Sequence, residues 1–317
     1  MLSIKIKDIV RLKGGDMVIG TFLNYVEIKT KITSTFAFLI TIAYLFYIGN
    51  PVNWKLTLIF FLAMFIFDLT TTAINNYIDT KTNHQSLGFK RETALAIIFV
   101  MLGISTALGL YLAYLSDFVV LLIGAVCFMC GILYTFGPIP ISRQPLGEIF
   151  SGLFYGLLIP FILLYINLPK GTLINLSVNF TAINLNVNII PTLTIILLSI
   201  PPVCTTANIM LANNICDLER DIMVKRFTLP FYLGRKAVYL FAGLYYLVYF
   251  DIILMVVLGK LPVVCLLSLI TVYPVQKNIN LFFKEQDKAT TFIVSIKNYV
   301  LIMGSISLLI FIGGLFF

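Results

Sequence analysis

Residues 56–83 read LTLIFFLAMFIFDLTTTAINNYIDTKTN, an apolar run that closes on Asn75, Asn76 and Asp79. A bilayer core of about 30 Å takes roughly 20 apolar residues in a helix, and the run 56–76 meets that length. Outward from it, runs of the same kind recur at 32–50, 92–115, 118–136, 149–167, 189–212, 237–258, 261–276 and 292–316, which makes nine. Backbone N–H and C=O groups find no water in hydrocarbon, and these runs lack the alternation of a membrane barrel, so they are expected to be helices. The expected fold is all-α: a polytopic membrane protein of about nine transmembrane helices in one bundle. An N-terminal arm, 1–31, precedes a single transmembrane domain over 32–317.

Composition agrees. Of 317 residues, 60% are apolar and 11% charged, against about 45–50% and 25% in soluble domains. That excludes a soluble enzyme and a disordered chain. The net charge of +8 suits nucleic acid, an anionic membrane face or an anionic substrate, and position decides between them. Most basic residues lie in the arm (Lys5, Lys7, Arg11, Lys13, Lys29, Lys31) or in the connections after the second, fourth, sixth and eighth runs, whereas the opposite connections hold only Lys55, Lys170 and Lys260. By the positive-inside rule this places the N-terminus and the even-numbered connections in the cytoplasm of a multi-pass cell-membrane protein, with a lipid bilayer rather than nucleic acid as partner. The first thirty residues mix charges throughout and do not resemble a cleavable signal peptide. Cys127, Cys130, Cys204, Cys216 and Cys265 fall in or beside apolar runs and read as helix packing rather than a disulfide framework or a zinc site. Trp54 suits an interfacial belt. The polar stretch 169–188 reads as a loop, and its glycosylation-type triplets at Asn175 and Asn179 are no more than such a composition produces by chance.

The motif at 75–79 has a copy. Residues 213–221 read NNICDLERD, so Asn75, Asn76 and Asp79 recur at the same spacing as Asn213, Asn214 and Asp217, four helices later. An even number of crossings returns the chain to the same side, which brings both motifs to the cytoplasmic end of one bundle. Steps of four keep side chains on one helix face, giving the stripes Asn75, Asp79, Asn83 and Asn213, Asp217, Asp221. One such motif could simply end and solvate a helix, but two matched copies on one side are poorly explained that way. Carboxylates at i and i+4 repel, and a bound cation relieves the repulsion. Oxygen ligands without His or Cys suit magnesium, which takes a few carboxylates together with waters and substrate phosphates. Glu219 is out of phase and expected to face solvent. Lys90 and Arg91 follow the first motif and Lys225, Arg226 and Arg235 the second, as a metal-bridged diphosphate would require, although the positive-inside bias alone accounts for many such residues.

These residues resemble the UbiA superfamily of intramembrane prenyltransferases, which carry an NxxxDxxxD-type motif after the second helix and a DxxxD motif after the sixth. The blocks YTFGPIPISRQPLGE (Tyr134–Glu148), KRFTLPFYLG (Lys225–Gly234) and VEIKTKITS (Val26–Ser34) are similar to the branch of the superfamily that prenylates 1,4-dihydroxy-2-naphthoate. The chain departs from the pattern at Asn76 and at Asn83 or Gln85, where relatives carry acidic residues. This leaves Asp79 as the single carboxylate of the first motif. The resemblance implies magnesium-dependent transfer of a polyprenyl chain from polyprenyl diphosphate to the naphthoate with loss of carbon dioxide, giving a demethylmenaquinone. It also implies roles: Asp79, Asp217 and Asp221 as catalytic metal ligands assisted by Asn75 and Asn213, and Asn76, Asn214, Lys225, Arg226, Lys31, Arg91 and Arg143 as substrate contacts. Tyr77 and Tyr134 are the aromatic pocket candidates.

Asp68, eleven residues before Asp79, lies deep in the second run and is expected to line the pocket or pair with a buried polar group. Asp251 has no evident partner, His84 reads as a surface residue, and Glu148 at the start of the fifth run is accounted for by the helix dipole. Other acceptors, namely 4-hydroxybenzoate or a haem or chlorophyll precursor, keep the same fold. A secondary transporter would place its acidic groups nearer the membrane midplane and use broken helices.

Overall fold

The two motifs sit on the two longest helices of the protein. The computed structural model describes residues 14–82, 87–137, 140–179 and 181–316; Lys5, Lys7, Arg11, Lys13, Asn83, His84 and Gln85 lie outside the described residues. Helix α1 (Gly14–Tyr25) and a 3-10 turn (Ile28–Lys31) lead into α2 (Ile32–Tyr47), α3 (Trp54–Thr82), α4 (Arg91–Leu115) and α5 (Phe118–Thr135). The next span is α6 (Gly147–Ser151), a π-helical turn (Gly152–Leu158) and α7 (Ile159–Asn167) in series. A hairpin, β1 (Ile174–Val178) and β2 (Ile183–Val187), precedes α8 (Ile189–Cys216), α9 (Leu218–Met223), α10 (Leu229–Leu233) and α11 (Lys236–Val257). The chain ends in a 3-10 stretch (Val263–Thr271), α12 (Val272–Lys284) and α13 (Ile293–Phe316).

Among the described residues eight helices are long and apolar enough to cross a membrane. The run 261–276 is the remaining crossing element, built from the 3-10 stretch and α12 in series. At 1.5 Å per residue, α3 and α8 extend about 43 and 42 Å, well past an apolar core of about 30 Å. Their C-terminal turns carry the first motif and the start of the second.

The arm before residue 32 belongs to the bundle in its described part. Tyr25 and Val26 are buried with Leu69, Ala73 and Ala94, and α1 lies against the C-terminal half of α3. One half of the molecule is a continuous apolar core in which α2, α8, α11 and α13 meet around Phe241, Tyr245, Phe282 and Tyr299. The other half, built on α3, α4 and α5, is looser. Apolar side chains of α4 and α5 such as Phe99, Val100, Leu110, Leu122 and Met129 face outward, as lipid contact requires.

The two halves join closely where α8 carries Pro201 and Pro202. A methyl group on Gly156 in the π-helical turn would lie 2.3 Å from the backbone nitrogen of Val203, so only glycine allows that approach. Wide turns of this kind often mark functional segments of a helix.

At the end away from the motifs, the stretch 169–188 is not an irregular loop but an antiparallel hairpin pairing Ile174 with Val187 and Val178 with Ile183. Its strands, INLSV and INLNV, alternate apolar and polar residues with period two.

Candidate functional site

The first motif divides between two faces of α3. The side-chain oxygen of Asn75 accepts a hydrogen bond from Thr135 Oγ1 at 3.3 Å and borders an internal cavity. Asn76 turns away, its amide donating to Tyr25 O at 2.8 Å and Glu27 Oε1 at 3.2 Å. Tyr77 carries the Arg91 guanidinium over its ring at 4.3 Å, and Arg91 donates to Tyr77 O at 2.7 Å. Asn76, Tyr77 and Arg91 thus fasten α3 to α1 and α4, while Asn75 faces the site. Asp79, in the last turns of α3, lies in electrostatic reach of Arg226, Arg143 and Arg220; Arg220 lies within the second motif, Arg226 shortly after it, and Arg143 on the connection between α5 and α6. The two motifs therefore meet at one end of the bundle.

The second motif keeps its stripe although the helix breaks at Asp217. The bonds Asp217 N to Asn213 O (3.0 Å) and Asp221 N to Asp217 O (2.8 Å) carry the i, i+4 relation from α8 into α9. Asp221 is 5% exposed; one oxygen lies 3.8 Å from Arg226 Nη1 and the other has no partner among the described residues. Burial pushes its carboxyl above the usual range, and Arg226 opposes the shift. Arg226 is itself anchored, donating through Nε to Ser142 O at 2.8 Å, while Phe227 N donates to Arg143 O at 3.1 Å. Lys225 is exposed and holds a left-handed backbone with φ of 56°. Glu219 is exposed, as its phase requires.

Asn214 is fully buried, and its amide donates to Glu148 Oε1 at 2.8 Å. The helix dipole alone therefore does not account for Glu148: its side chain is 4% exposed and locks the first turn of α6 to the end of α8. That pairing spans 66 residues of sequence, beyond the reach of local spacing.

A further residue is invisible to spacing. The Lys288 ammonium donates to Asp217 Oδ2 at 2.6 Å and to Asn213 Oδ1. It lies 4.7 Å from the centre of the Phe292 ring. Asp287 fixes the backbone there, its Oδ1 accepting from Ala289 N, Thr290 N and Thr290 Oγ1 at 2.8 to 2.9 Å. Those bonds, the Thr290 hydroxyl first, hold the Asp287 carboxyl below its usual range.

Beneath the motifs lies a cavity of about 370 Å³. One face of α3 lines it through Phe60, Met64, Phe67, Asp68, Thr71 and Asn75, positions at helical spacing of three and four. From Phe60 to Asn75 that face runs about 22 Å along the helix. The opposite walls include Ser105, Gly109, Gly124 and Gly131, whose small size leaves the space, together with Tyr134, Phe154 and Tyr155. Tyr134 is the pocket aromatic of the two proposed from sequence; its hydroxyl lies 3.8 Å from Met210 Sδ.

Asp68 does both things expected of it. It lines the cavity and is a buried partner, accepting from Lys31 Nζ (2.8 Å), Ser34 Oγ (2.8 Å) and Tyr155 OH (2.7 Å). Lys31 also donates to Asp68 O and Thr72 Oγ1, so it is committed to this network below the motifs. Asp251 in α11 is 1% exposed with neither oxygen partnered among the described residues, and nothing in the structure explains it.

The donor set fits a divalent cation. Asp79 stands near the C-terminal end of α3, where the helix dipole disfavours negative charge, and Asp217, at the junction of α8 and α9, stands four residues from the like charge of Asp221. One oxygen of Asp221 is buried and unpartnered, and a lysine ammonium already sits between Asn213 and Asp217. No group of three His, Cys, Asp or Glu side chains forms a metal cage among the described residues.

Fold and site together define a class of protein: a membrane-spanning helical bundle that holds two matched Asn/Asp helix ends over an apolar cavity. Residues 36–302 match the UbiA prenyltransferase family, and the chain belongs to that family. It is 31% identical over 222 residues to 1,4-dihydroxy-2-naphthoate octaprenyltransferase of Bacillus subtilis (strain 168), a stretch covering 65% of each chain. In fold it is similar to a digeranylgeranylglyceryl phosphate synthase, with a TM-score of 0.64 at 17% identity over 94% of this chain and 99% of that one. It is likewise similar to a UbiA homologue from Archaeoglobus fulgidus bound to GPP and Mg2+, with a TM-score of 0.57 at 14% identity over 93% and 98%.

Proposed function

We propose that this protein transfers a polyprenyl chain from polyprenyl diphosphate to 1,4-dihydroxy-2-naphthoate. The observation that carries the reading is the meeting of two Asn/Asp helix ends, ringed by Arg143, Arg220 and Arg226, at one end of an apolar cavity. A diphosphate is drawn to that ring and an isoprenoid to the cavity. The likeness to the naphthoate octaprenyltransferase favours that acceptor, and the GPP- and Mg2+-bound homologue favours a metal-assisted prenyl donor.

Asp79, Asp217 and Asp221, with Asn75 and Asn213, would hold Mg2+, which supplies charge neutralisation of the diphosphate. Arg226, fixed by Ser142 and Asp221, stabilises negative charge that grows on the leaving oxygen as the carbon–oxygen bond breaks. The allylic carbon left behind faces aromatic walls, Tyr134 first among them, that exclude water and favour positive charge. The ring carbon bearing the carboxylate of the acceptor forms the new bond, and the carboxylate departs as carbon dioxide with its bonding electrons returned to the ring. The product is the reduced form of a demethylmenaquinone. The charge bias places the motif end on the cytoplasmic side of the cell membrane, where both substrates carry their charged groups.

Membranes containing the protein, supplied with a polyprenyl diphosphate and either dihydroxynaphthoate or hydroxybenzoate, test this. Prenylated naphthoate product formed only with Mg2+ is the expected result. Product from hydroxybenzoate alone reassigns the acceptor, and no product from either removes the proposal.

A further inference from the structure

Each carboxylate of the second motif faces a cation of its own, but the two cations are held differently. Arg226 reaches Asp221 while its Nε is tied to Ser142 O at 2.8 Å, so it belongs to the frame. Lys288 arrives from the connection between α12 and α13, and among the described residues its ammonium bonds Asn213 Oδ1 and Asp217 Oδ2, the oxygens suited to a metal. A lysine is a compact charge on a flexible stem, and this one is partly open to solvent, at 43% side-chain exposure. The backbone that carries it is rigid: Asp287 caps the following turn through three hydrogen bonds, and Thr291 Oγ1 accepts from Asp287 N at 2.9 Å. Only the side chain is free to swing, and the Phe292 ring beside it offers a second seat for the ammonium.

We propose that Lys288 is a resident counter-cation of the second motif, which occupies the place between Asn213 and Asp217 in the metal-free protein and gives it up to the divalent ion. This rests on the proposed metal role of those two residues. The ammonium performs two tasks in turn. Without metal it offsets the charge of the Asp217 carboxylate, which otherwise faces the like charge of Asp221 four residues on. Once displaced, it remains a free cation at the edge of the diphosphate site and becomes a ligand for phosphate oxygens, so that the ion and the diphosphate bind better together than apart. Lys288 is a positioning residue here, and its signature is a pair of opposite effects.

The test uses the full-length protein in detergent with Mn2+ as probe, free Mn2+ being read by electron paramagnetic resonance. Lys288→Met, which keeps the stem and removes the charge, should bind Mn2+ about two- to fivefold more tightly than the original protein, the worth of a partly exposed ion pair. The Mn2+-loaded variant should bind inorganic diphosphate more weakly than the loaded original protein, and Lys288→Arg should restore diphosphate binding. Unchanged or weaker Mn2+ binding by Lys288→Met, beside normal binding by the original protein, overturns the inference and leaves the reading of function standing. Diphosphate binding that strengthens along with Mn2+ binding also overturns it. Mn2+ binding that survives in Asp217→Ala at full strength sinks both the inference and the assignment of the motif as a metal site.

Discussion

Asp217 and Asp221 differ in surroundings although four residues apart. Asp217 is half-open and faces a movable lysine; Asp221 is buried and faces a fixed arginine. Replacing Asp217 by Ala removes the oxygen that Lys288 bonds and that the proposed metal would take, and prenyl transfer should fall to background while the protein still inserts; assay of the variant in membranes, with its level checked by immunoblot, decides this. Lys31 and Asp68 present the opposite case, a closed ion pair. Lys31→Ala leaves a buried carboxylate with Tyr155 and Ser34 as its donors among the described residues, and should cost about 3–5 kcal/mol, seen as a lowered melting temperature in detergent. The double variant Lys31→Met with Asp68→Asn should recover most of the loss, because an amide oxygen still accepts from Tyr155 without needing a counter-ion. An equal loss in both would mean that the packing of Lys31, not its charge, carries the stability.

Elements were legible where composition spoke and hidden where distant contacts did. The helix boundaries at 91–115, 118–135 and 236–257 fall within a residue or two of the apolar runs, because lipid demands apolar side chains all round. The stripe Asn213, Asp217, Asp221 was readable from spacing alone. The hairpin at 174–187 escaped because its alternation is carried by Asn and Ser, which read as loop composition. The run 261–276 was visible, but not its tightening to a 3-10 helix. Lys288 and Glu148 were passed over for one reason: their partners lie 71 and 66 residues away, and each residue had a sufficient local account, the cytoplasmic charge bias for one and the helix dipole for the other. The glycines of α4 and α5 acquire meaning only with the cavity in view. A side chain at Gly124 would meet nothing within 4 Å yet would stand in the cavity. Gly124→Leu should therefore leave the melting temperature unchanged and raise KM for a long prenyl diphosphate about tenfold, the worth of two buried methylenes, with a smaller effect on a short one. A parallel rise for both donors would place the chain elsewhere.

For the whole molecule, the uneven halves separate stability from ligand binding. The α2, α8, α11 and α13 half is filled by large side chains such as Tyr245 and Tyr299, while the α3, α4 and α5 half is hollow and faces lipid with most of its surface. The orientation proposed from the charge bias is testable without any substrate. A cysteine at Thr181, beside the hairpin, should react with a membrane-impermeant maleimide in intact cells, and one at Arg235 only after permeabilisation. The reverse pattern would invert the protein in the membrane.

The buried pair between α2 and α3 also bears on how the chain enters the bilayer. A lone carboxylate near the centre of a helix is inserted at a cost of about 2.5–3.5 kcal/mol, and α3 carries one in Asp68. Lys31 precedes it in the chain, and the short link 48–53 lets α2 and α3 lie side by side as a helical hairpin. When α3 leaves the ribosome its counter-ion is already waiting at the membrane, whereas a protein with these two helices in exchanged order would have to hold the acid unpaired until synthesis caught up. The site chemistry and the order of synthesis thus meet in one ion pair, and the first pair of helices is expected to integrate as a unit rather than one at a time.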